Sequence, residues 1–193
     1  CNVDGDNRTW GIRVLRRALA QRPGWLDVEQ SASRTLRDEL YAASRGGPTR
    51  LLLSFHCFEG AGAGLDRAES LAREPADALK VAVSIDDAAE LTGVRALLAR
   101  EERPVVRLGM GDAGLLSRVL YRQFGSPWTY VVADGVAPTA PGQLTVSRAA
   151  AYRLLEEGLR PMGVLGGPQV LRSNGQRAYN TLFARRALPF HYL

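Results

Sequence analysis

Short apolar runs alternate with segments of helical periodicity along most of the chain. The runs predict five strands, at Trp25–Glu29, Arg50–His56, Ala76–Val83, Pro104–Met110 and Trp128–Asp134. The predicted helices are Asn7–Gln21, Ser31–Ser44, about ten residues before Pro75, Asp86–Arg100, Asp112–Phe124 and Val146–Gly158. A step of roughly 25 residues from strand to strand is typical of right-handed βαβ units, so we expect an α/β fold with a parallel sheet.

Polar groups favour a barrel over a doubly wound sheet. Glu29, His56, Lys80 and the Gly109–Gly111 turn lie at or near the carboxyl ends of successive strands, where a (β/α)8 barrel keeps its active site. Five strands do not close such a barrel. We therefore predict a partial (β/α)8 TIM barrel lacking its first strands, about three of which would precede Cys1. Its wall would be open, with an apolar flank, and the fragment alone would be poorly soluble and inactive.

Composition excludes several classes of protein. The 193 residues carry a formal charge of +5, but the arginines are spread over helical faces without interleaved aromatic residues, so no nucleic-acid partner is expected. Two cysteines cannot build a disulfide framework or a cysteine zinc site, and we expect no metal. No apolar run approaches the ~20 residues of a membrane span. We expect a cytoplasmic protein with no membrane partner.

Lys80 is the one lysine among 25 lysine and arginine residues. Arginine supplies a positive charge but cannot act as an amine nucleophile, whereas lysine can. Leu79 and Val81 flank it in an apolar run, and burial disfavours the ammonium form. The pattern favours a nucleophilic amine. The alternative is a lysine with a buried stem and a solvated head.

His56 ends the strand before that of Lys80, so the two side chains should be neighbours at one rim of a barrel. An imidazole can move protons in both directions, as a reaction through an imine requires. The alternative is a hydrogen-bonded structural histidine. Arg118 follows a glycine-rich turn and could clamp a carboxylate, while Thr139 and Gln143 flank a Pro-Gly turn suited to a substrate-gripping loop.

Together these segments resemble the type I 3-dehydroquinate dehydratases. The matching motifs, in order, are Asp27-Val28-Glu29, Ser54-Phe55-His56, Ala76-Asp77-Ala78-Leu79-Lys80-Val81-Ala82, Met110-Gly111 with Ser117-Arg118, Gly125-Ser126-Pro127-Trp128-Thr129-Tyr130 and Ala140-Pro141-Gly142-Gln143. The resemblance covers roughly residues 1 to 158, and its motifs are jointly specific.

The resemblance implies a role for each candidate residue. Lys80 would form an imine with the 3-keto group of dehydroquinate, and His56 would remove the C2 proton and then protonate the departing hydroxyl. Arg118 would hold the substrate carboxylate, and Thr139 and Gln143 would belong to a closing loop. The substrate would be the one small-molecule partner, with no cofactor, and a homodimer is left open.

Three departures from the family pattern bear on this reading. Cys57 stands where the family usually has an aspartate, which could leave His56 less well oriented, and Thr139 replaces the common serine. The segment near Cys1 also lacks the family's Arg and Glu-Gly-Gly pattern.

Residues 160 to 193 resemble the first strand and helix of a shikimate dehydrogenase substrate domain. Ser173 matches a serine that helps that family to bind shikimate, and the sixth strand is expected at Met162–Gly166. We therefore expect residues 1–159 to form the truncated dehydratase-like barrel and residues 160–193 the start of a fused dehydrogenase. NADP would belong only to the missing dehydrogenase part, and we expect no dinucleotide site within the 193 residues.

Two other functions remain open at this point. A catalytically degenerate barrel could serve as a scaffold for the dehydrogenase, and then Lys80 and His56 need not share a cavity. A class I aldolase-like enzyme would use Lys80 and the barrel, but would not need Arg118 and Gln143 to converge.

Overall fold

The computed structural model describes residues 5–164, 170 and 173–193. Its helices are α1 Gly5–Ala20, α2 Arg34–Ser44, α3 Ala61–Leu71, α4 Leu91–Ala96, α5 Leu115–Val119, α6 Val146–Ala151 and α7 Gly175–Arg185, with a 3-10 turn at Ala88–Glu90. Its strands are β1 Trp25–Glu29, β2 Arg50–Cys57, β3 Ala78–Ser84, β4 Val105–Met110, β5 Val131–Val132, β6 Leu144–Thr145, β7 Arg160–Met162 and β8 Phe190–Tyr192.

The first four strands form one parallel sheet in the order β1-β2-β3-β4. This arrangement confirms the predicted α/β fold with a parallel sheet. Glu29 pairs in register with Ser54, and Ser54 with Lys80. Because alternate residues of a strand point to opposite faces, these three side chains share one face of the sheet.

The opposite face carries the main hydrophobic core. Leu53, Leu79, Val81 and Val105 are each at most 2% exposed and pack beneath the helices. Helix α2 begins at Arg34, three residues after the predicted start, because the hydroxyl of Ser33 accepts a hydrogen bond from the Leu36 amide and caps the helix there. The helices therefore fix the sheet from one side and leave its polar face to form the site.

The fifth predicted strand, Trp128–Asp134, is not part of this sheet. Residues 128 to 130 lie over the polar face, where Trp128 and Tyr130 pack on the cluster that contains Leu108 and Met110. Trp128 also contacts Trp25, with ring centroids 5.2 Å apart. Burial of this apolar surface beneath the aromatic rings is favoured over pairing of the segment as a fifth strand of the sheet. Only β5 remains extended, and it pairs with β6.

Other boundaries also differ from the predictions. Helix α1 begins at Gly5, two residues before the predicted start at Asn7, and α3 begins inside the glycine-rich stretch at Ala61. The exposed positions of β1 are Trp25 and Asp27, so that flank is mixed, not apolar. The strand expected to end at Cys1 lies outside the described residues.

The segment after Leu159 forms a separate small unit. Strand β7 begins at Arg160, two residues before the predicted start, and pairs with β8, not with the large sheet. The side-chain amide of Asn180 on α7 bonds both the N–H and the C=O of Tyr192. Arg153, at the end of α6, donates to the carbonyl oxygens of Leu188 and Phe190 at 3.1 and 2.6 Å. These contacts attach β8 to α7 and to the residues that follow α6.

His191 of β8 makes this attachment sensitive to pH. It is 5% exposed, and its Nε2 has no partner among the described residues. Burial lowers its pKa; a hydrogen bond to the Tyr152 backbone opposes this effect, and the nearby Arg153 charge adds to it. Below the ordinary histidine pKa of about 6.5, the opened segment binds a proton that the folded one resists, so stability falls as pH falls.

We therefore expect amide hydrogen exchange in Phe190–Tyr192 to speed up between pH 8 and pH 5.5, beyond the intrinsic pH effect on exchange. In a His191→Gln variant this additional dependence should disappear. Equal protection of wild type and variant across the range would contradict the expectation.

Candidate active site

A cavity of about 140 Å³ opens on the polar face of the sheet, at the carboxyl ends of the strands. Its lining residues are His56, Phe58, Lys80, Ala82, Leu108, Met110, Arg118, Tyr130, Thr139, Ala140 and Gln143. Five of the six residues selected from sequence meet here. The sixth, Ser173, lies outside this cavity, where its hydroxyl accepts a hydrogen bond from the Gly175 amide.

Lys80 projects from the middle of β3 into the cavity. Its side chain is 12% exposed, and Nζ lies 3.2 Å from Oδ2 of Asp27 on β1. The ring of Tyr130 covers another side of the ammonium group, with its centroid 4.9 Å from Nζ. The amine therefore has an anionic partner, so the apolar surroundings inferred from sequence were only part of its environment.

His56 is held by Glu29, a residue noted in the sequence for its position but given no role. Nδ1 of His56 lies 2.6 Å from Oε2 of Glu29, and the other carboxylate oxygen accepts from the His56 amide at 3.3 Å. Ser54 also donates to Glu29. Burial raises the pKa of Glu29, but the hydrogen bonds from His56 and Ser54 outweigh it, so the pKa lies below its usual value.

An ionised Glu29 assigns the tautomer of the neutral ring. The carboxylate accepts the proton on Nδ1, which leaves Nε2 of His56 to exchange protons. Cys57 does not take part, because it is 2% exposed in the core on the helix face. The concern that Cys57 leaves His56 poorly oriented was therefore misplaced, since the orienting group is Glu29.

Arg118 is a buried cation at the opposite wall. The residue is 2% exposed and donates to the carbonyl oxygen of Pro141 at 3.2 Å, whereas its Nε has no partner. Burial lowers its pKa. No carboxylate of the described residues forms an ion pair with it. A buried guanidinium without a counter-ion is costly and ready to bind an anion.

The loop from Thr139 to Gln143 closes the cavity. Both the amide and the hydroxyl of Thr139 donate to Oε1 of Gln143, at 2.9 and 3.0 Å. Gly142 adopts φ +73°, and a Cβ there would lie 2.4 Å from the carbonyl oxygen of Gly111. Only glycine allows this close approach. The loop is thus packed directly on the turn that follows β4.

That turn has the spacing Gly-x-Gly-x-x-Gly at Gly109, Gly111 and Gly114, which is also found in dinucleotide-binding loops. Packing explains the glycines here. A Cβ at Gly114 would lie 2.2 Å from the Gly109 carbonyl oxygen, and Gly111 adopts φ +88°. The following helix α5 has only five residues and carries the buried Arg118. The spacing alone therefore does not indicate a nucleotide site.

Three residues of the site had no assigned role in the sequence: Asp27, Glu29 and Tyr130. The register could have identified the two carboxylates, because Asp27 and Glu29 alternate with a buried valine and so share a face with Ser54 and Lys80. No comparable signal existed for Tyr130, since its predicted strand does not form.

The described residues hold neither a metal-ligand cluster nor a membrane-spanning helix. In the part of the chain that the structure describes, no three histidine, cysteine, aspartate or glutamate side chains group as a metal site would require. None of the helices there is long and apolar enough to cross a membrane.

The fold and the cavity define a parallel α/β protein with an amine, an imidazole and a guanidinium around one space, and the guanidinium has no carboxylate partner among the described residues. The model of the family "Type I 3-dehydroquinase" matches residues 2–158. The chain belongs to this family, whose solved members have an α/β, TIM-barrel-like fold.

Individual relatives agree with this assignment. The 3-dehydroquinate dehydratase of Syntrophobacter fumaroxidans is 31% identical over 144 residues, which cover 71% of this chain and 60% of that protein. The bifunctional 3-dehydroquinate dehydratase/shikimate dehydrogenase of Arabidopsis thaliana, a chloroplastic protein, is 27% identical over 177 residues, which cover 88% of this chain and 29% of that protein.

A solved structure of a dehydroquinate dehydratase and shikimate dehydrogenase from S. pombe superposes with a TM-score of 0.67 at 22% identity, which is evidence for the fold alone. The match covers 97% of this chain and 36% of that chain. The chain thus spans less than two thirds of the length of each of these relatives.

Proposed function

We propose that the full-length protein converts 3-dehydroquinate into 3-dehydroshikimate through an imine on Lys80. The observation that carries the proposal is the single cavity lined by Lys80, His56 and Arg118 together with Thr139 and Gln143. A nucleophile, a proton carrier and an anion site around one space are what this reaction requires.

The reaction can be written with the side chains in named roles. The neutral amine of Lys80 adds to the ketone, and the carbinolamine takes up one proton and loses water to give an iminium ion; the final hydrolysis returns that proton. Nε2 of His56 accepts the proton from the adjacent carbon, and the electron pair moves to the nitrogen to form an enamine. His56 then returns the proton to the departing hydroxyl as the ring double bond forms. Water hydrolyses the imine, so one water is lost overall.

The buried Arg118 supports a carboxylate-bearing substrate. A bidentate ion pair would satisfy Nε and neutralise a charge that has no partner among the described side chains. The amide oxygen of Gln143 is occupied by Thr139, so its NH₂ group is the part left to donate to a substrate hydroxyl. These contacts would orient the ring between Lys80 and His56.

The two alternatives have weaker support. A scaffold without activity gives no reason for Lys80 and His56 to line one cavity with an unpaired Arg118. An aldolase would not need Arg118 and Gln143 to converge, although both line the cavity. We also propose that residues 160–193 begin a shikimate dehydrogenase-like unit, with Ser173 as its substrate-binding serine, since the bifunctional Arabidopsis relative aligns over 88% of this chain.

The proposal is tested by giving the full-length protein 3-dehydroquinate and following the product. We expect ultraviolet absorbance of the enone to appear and mass spectrometry to show the loss of one water. Two carbon fragments would support an aldolase instead. An unchanged substrate with correctly folded protein would favour the scaffold.

Arg118→Gln gives a separate prediction for the anion site. Because removing one partner of a buried charge pair costs several kcal/mol, KM should rise about 100-fold or more. The thermal midpoint of the free protein should rise, since the substitution removes an uncompensated buried cation. The matched control is Arg122→Gln, an arginine of the next turn whose side chain is 45% exposed. An unchanged KM would remove Arg118 from substrate binding.

A further inference from the structure

The contact between Asp27 and Lys80 joins strands that are not neighbours in the sheet. Asp27 pairs in register with Leu52 on β2, and Leu52 pairs with Ala78 on β3, two residues before Lys80. The lysine side chain therefore crosses diagonally over β2 to reach Oδ2 of Asp27 at 3.2 Å. This ion pair connects β3 with β1 and constrains the position of Nζ.

Other charged groups surround the cavity, but they have their own partners or the wrong sign. The titratable groups of the packed elements are Asp27 and Glu29 from β1, His56 from β2, Arg118 from α5 and Tyr130 from the segment before β5. Glu29 is engaged by His56 and Ser54, and Arg118 is itself a cation. In the described residues, Asp27 is thus the carboxylate that pairs with Lys80.

We propose that Asp27 is the counter-ion and positioning residue of Lys80, holding the amine against the ring of Tyr130. The proposal rests on the imine chemistry proposed above. The lysine nitrogen carries one positive charge as an ammonium and again as an iminium, so a fixed carboxylate compensates both states without moving. The Tyr130 ring stabilises the same cation from another side.

The contact with Asp27 also opposes the first step of the reaction, and its effect on the reactivity of the Lys80 amine can be measured. Addition to a carbonyl needs the neutral amine, and a carboxylate next to Nζ favours the protonated one. Removal of the Asp27 charge should therefore make the amine reactive at lower pH. The iminium, once formed, should lose its anionic partner and be less populated.

The test measures the reactivity of Lys80 directly in the full-length protein. A neutral acylating reagent, acetic anhydride, is applied in trace amount across pH 6 to 11, and mass spectrometry of the Lys80 peptide reports labelling. We expect Asp27→Asn to move half-maximal labelling to lower pH, because the amine then lacks its anionic partner. Asp27→Glu, which keeps the charge, should lie near wild type. Asp38→Asn, an equal charge change at an exposed site on α2, should not shift it.

A measurement on the unmodified protein covers the case in which Asp27→Asn does not fold. The Asp27 side chain is 40% exposed, so salt should weaken the pair. Raising ionic strength from 0.05 to 1 M should move half-maximal labelling of wild-type Lys80 to lower pH. No shift with salt, or identical profiles in wild type and a folded Asp27→Asn variant, would overturn the proposal.

A second arm separates this inference from the proposed reaction. Borohydride is added with 3-dehydroquinate, and the reduced adduct on Lys80 is quantified for wild type and Asp27→Asn over the same pH range. We expect the variant's adduct to form at lower pH but to reach a smaller yield. Absence of adduct in wild type, with the labelling shift intact, would reject the reaction and not the ion pair. Equal yields and profiles would reject the counter-ion role and not the reaction.

Discussion

Replacing Lys80 with methionine in the full-length protein should lower kcat by at least about 1,000-fold, because no other side chain can form the imine. Methionine has a similar length and suits the apolar part of the cavity, so the fold should persist. Asp27 would lose its cation, but its partial exposure lets water replace that contact. Borohydride with 3-dehydroquinate should leave a covalent adduct at position 80 in wild type and none in the variant.

Lys80→Arg is the matched control for charge. It keeps the positive charge beside Asp27 but supplies no amine nucleophile. We expect it to be as inactive as the methionine variant. Activity retained by Lys80→Arg would mean that the residue acts only as a cation, and undiminished turnover of Lys80→Met would remove the imine mechanism altogether.

The sequence could locate Lys80 because two signals coincided there. An isolated lysine in an arginine-rich chain is a chemical signal, and the strand pattern around it is a structural one. Strands β1 to β4 were predicted to within two residues at either end, since buried parallel strands are continuous apolar runs bounded by Gly, Pro or polar residues. Their parallel order then brings the carboxyl ends, and hence the candidate side chains, to one edge.

The placement of the segment around Trp128 over the sheet could not be predicted from the sequence. Its apolar residues fit a strand, but the pattern cannot say whether a run pairs with its neighbour or folds over the sheet. In the structure Trp128 contacts Trp25, more than one hundred residues earlier in the chain. Contacts of this range depend on the whole fold, and the position of Tyr130 beside Lys80 follows from them.

The partners of the two carboxylates of β1 could not be predicted either, for a different reason. Asp27 and Glu29 were visible as acidic residues at a strand end, yet their separate partners could not be inferred from position alone. The two residues share a face but sit at different levels of it, and Glu29 reaches His56 while Asp27 reaches Lys80. Both contacts run diagonally, since Lys80 is level with Glu29 and Asp27 is level with Ala78, so neither strand order nor register assigns the partners.

His56→Asn should lower kcat by about 100- to 10,000-fold, the range usual for loss of a general acid–base group. The imine can still form on Lys80, so borohydride should trap substrate on the variant even though little product appears. Asparagine can keep a hydrogen bond to Glu29 but cannot carry a proton between carbon and hydroxyl. Rapid-quench measurement of adduct and product separates the two steps. Normal turnover by this variant would show that another group moves the proton.

Glu29→Gln completes this experiment, because it alters the partner of His56 and leaves the imidazole in place. The carboxylate charge compensates the positive charge that the ring carries while it transfers a proton, so its loss should lower kcat. The loss of rate at the optimum should be smaller than for His56→Asn, since the glutamine oxygen can still accept the Nδ1 proton. A kcat equal to that of wild type would show that Glu29 only supports the strand, and the tautomer of His56 would then need another cause.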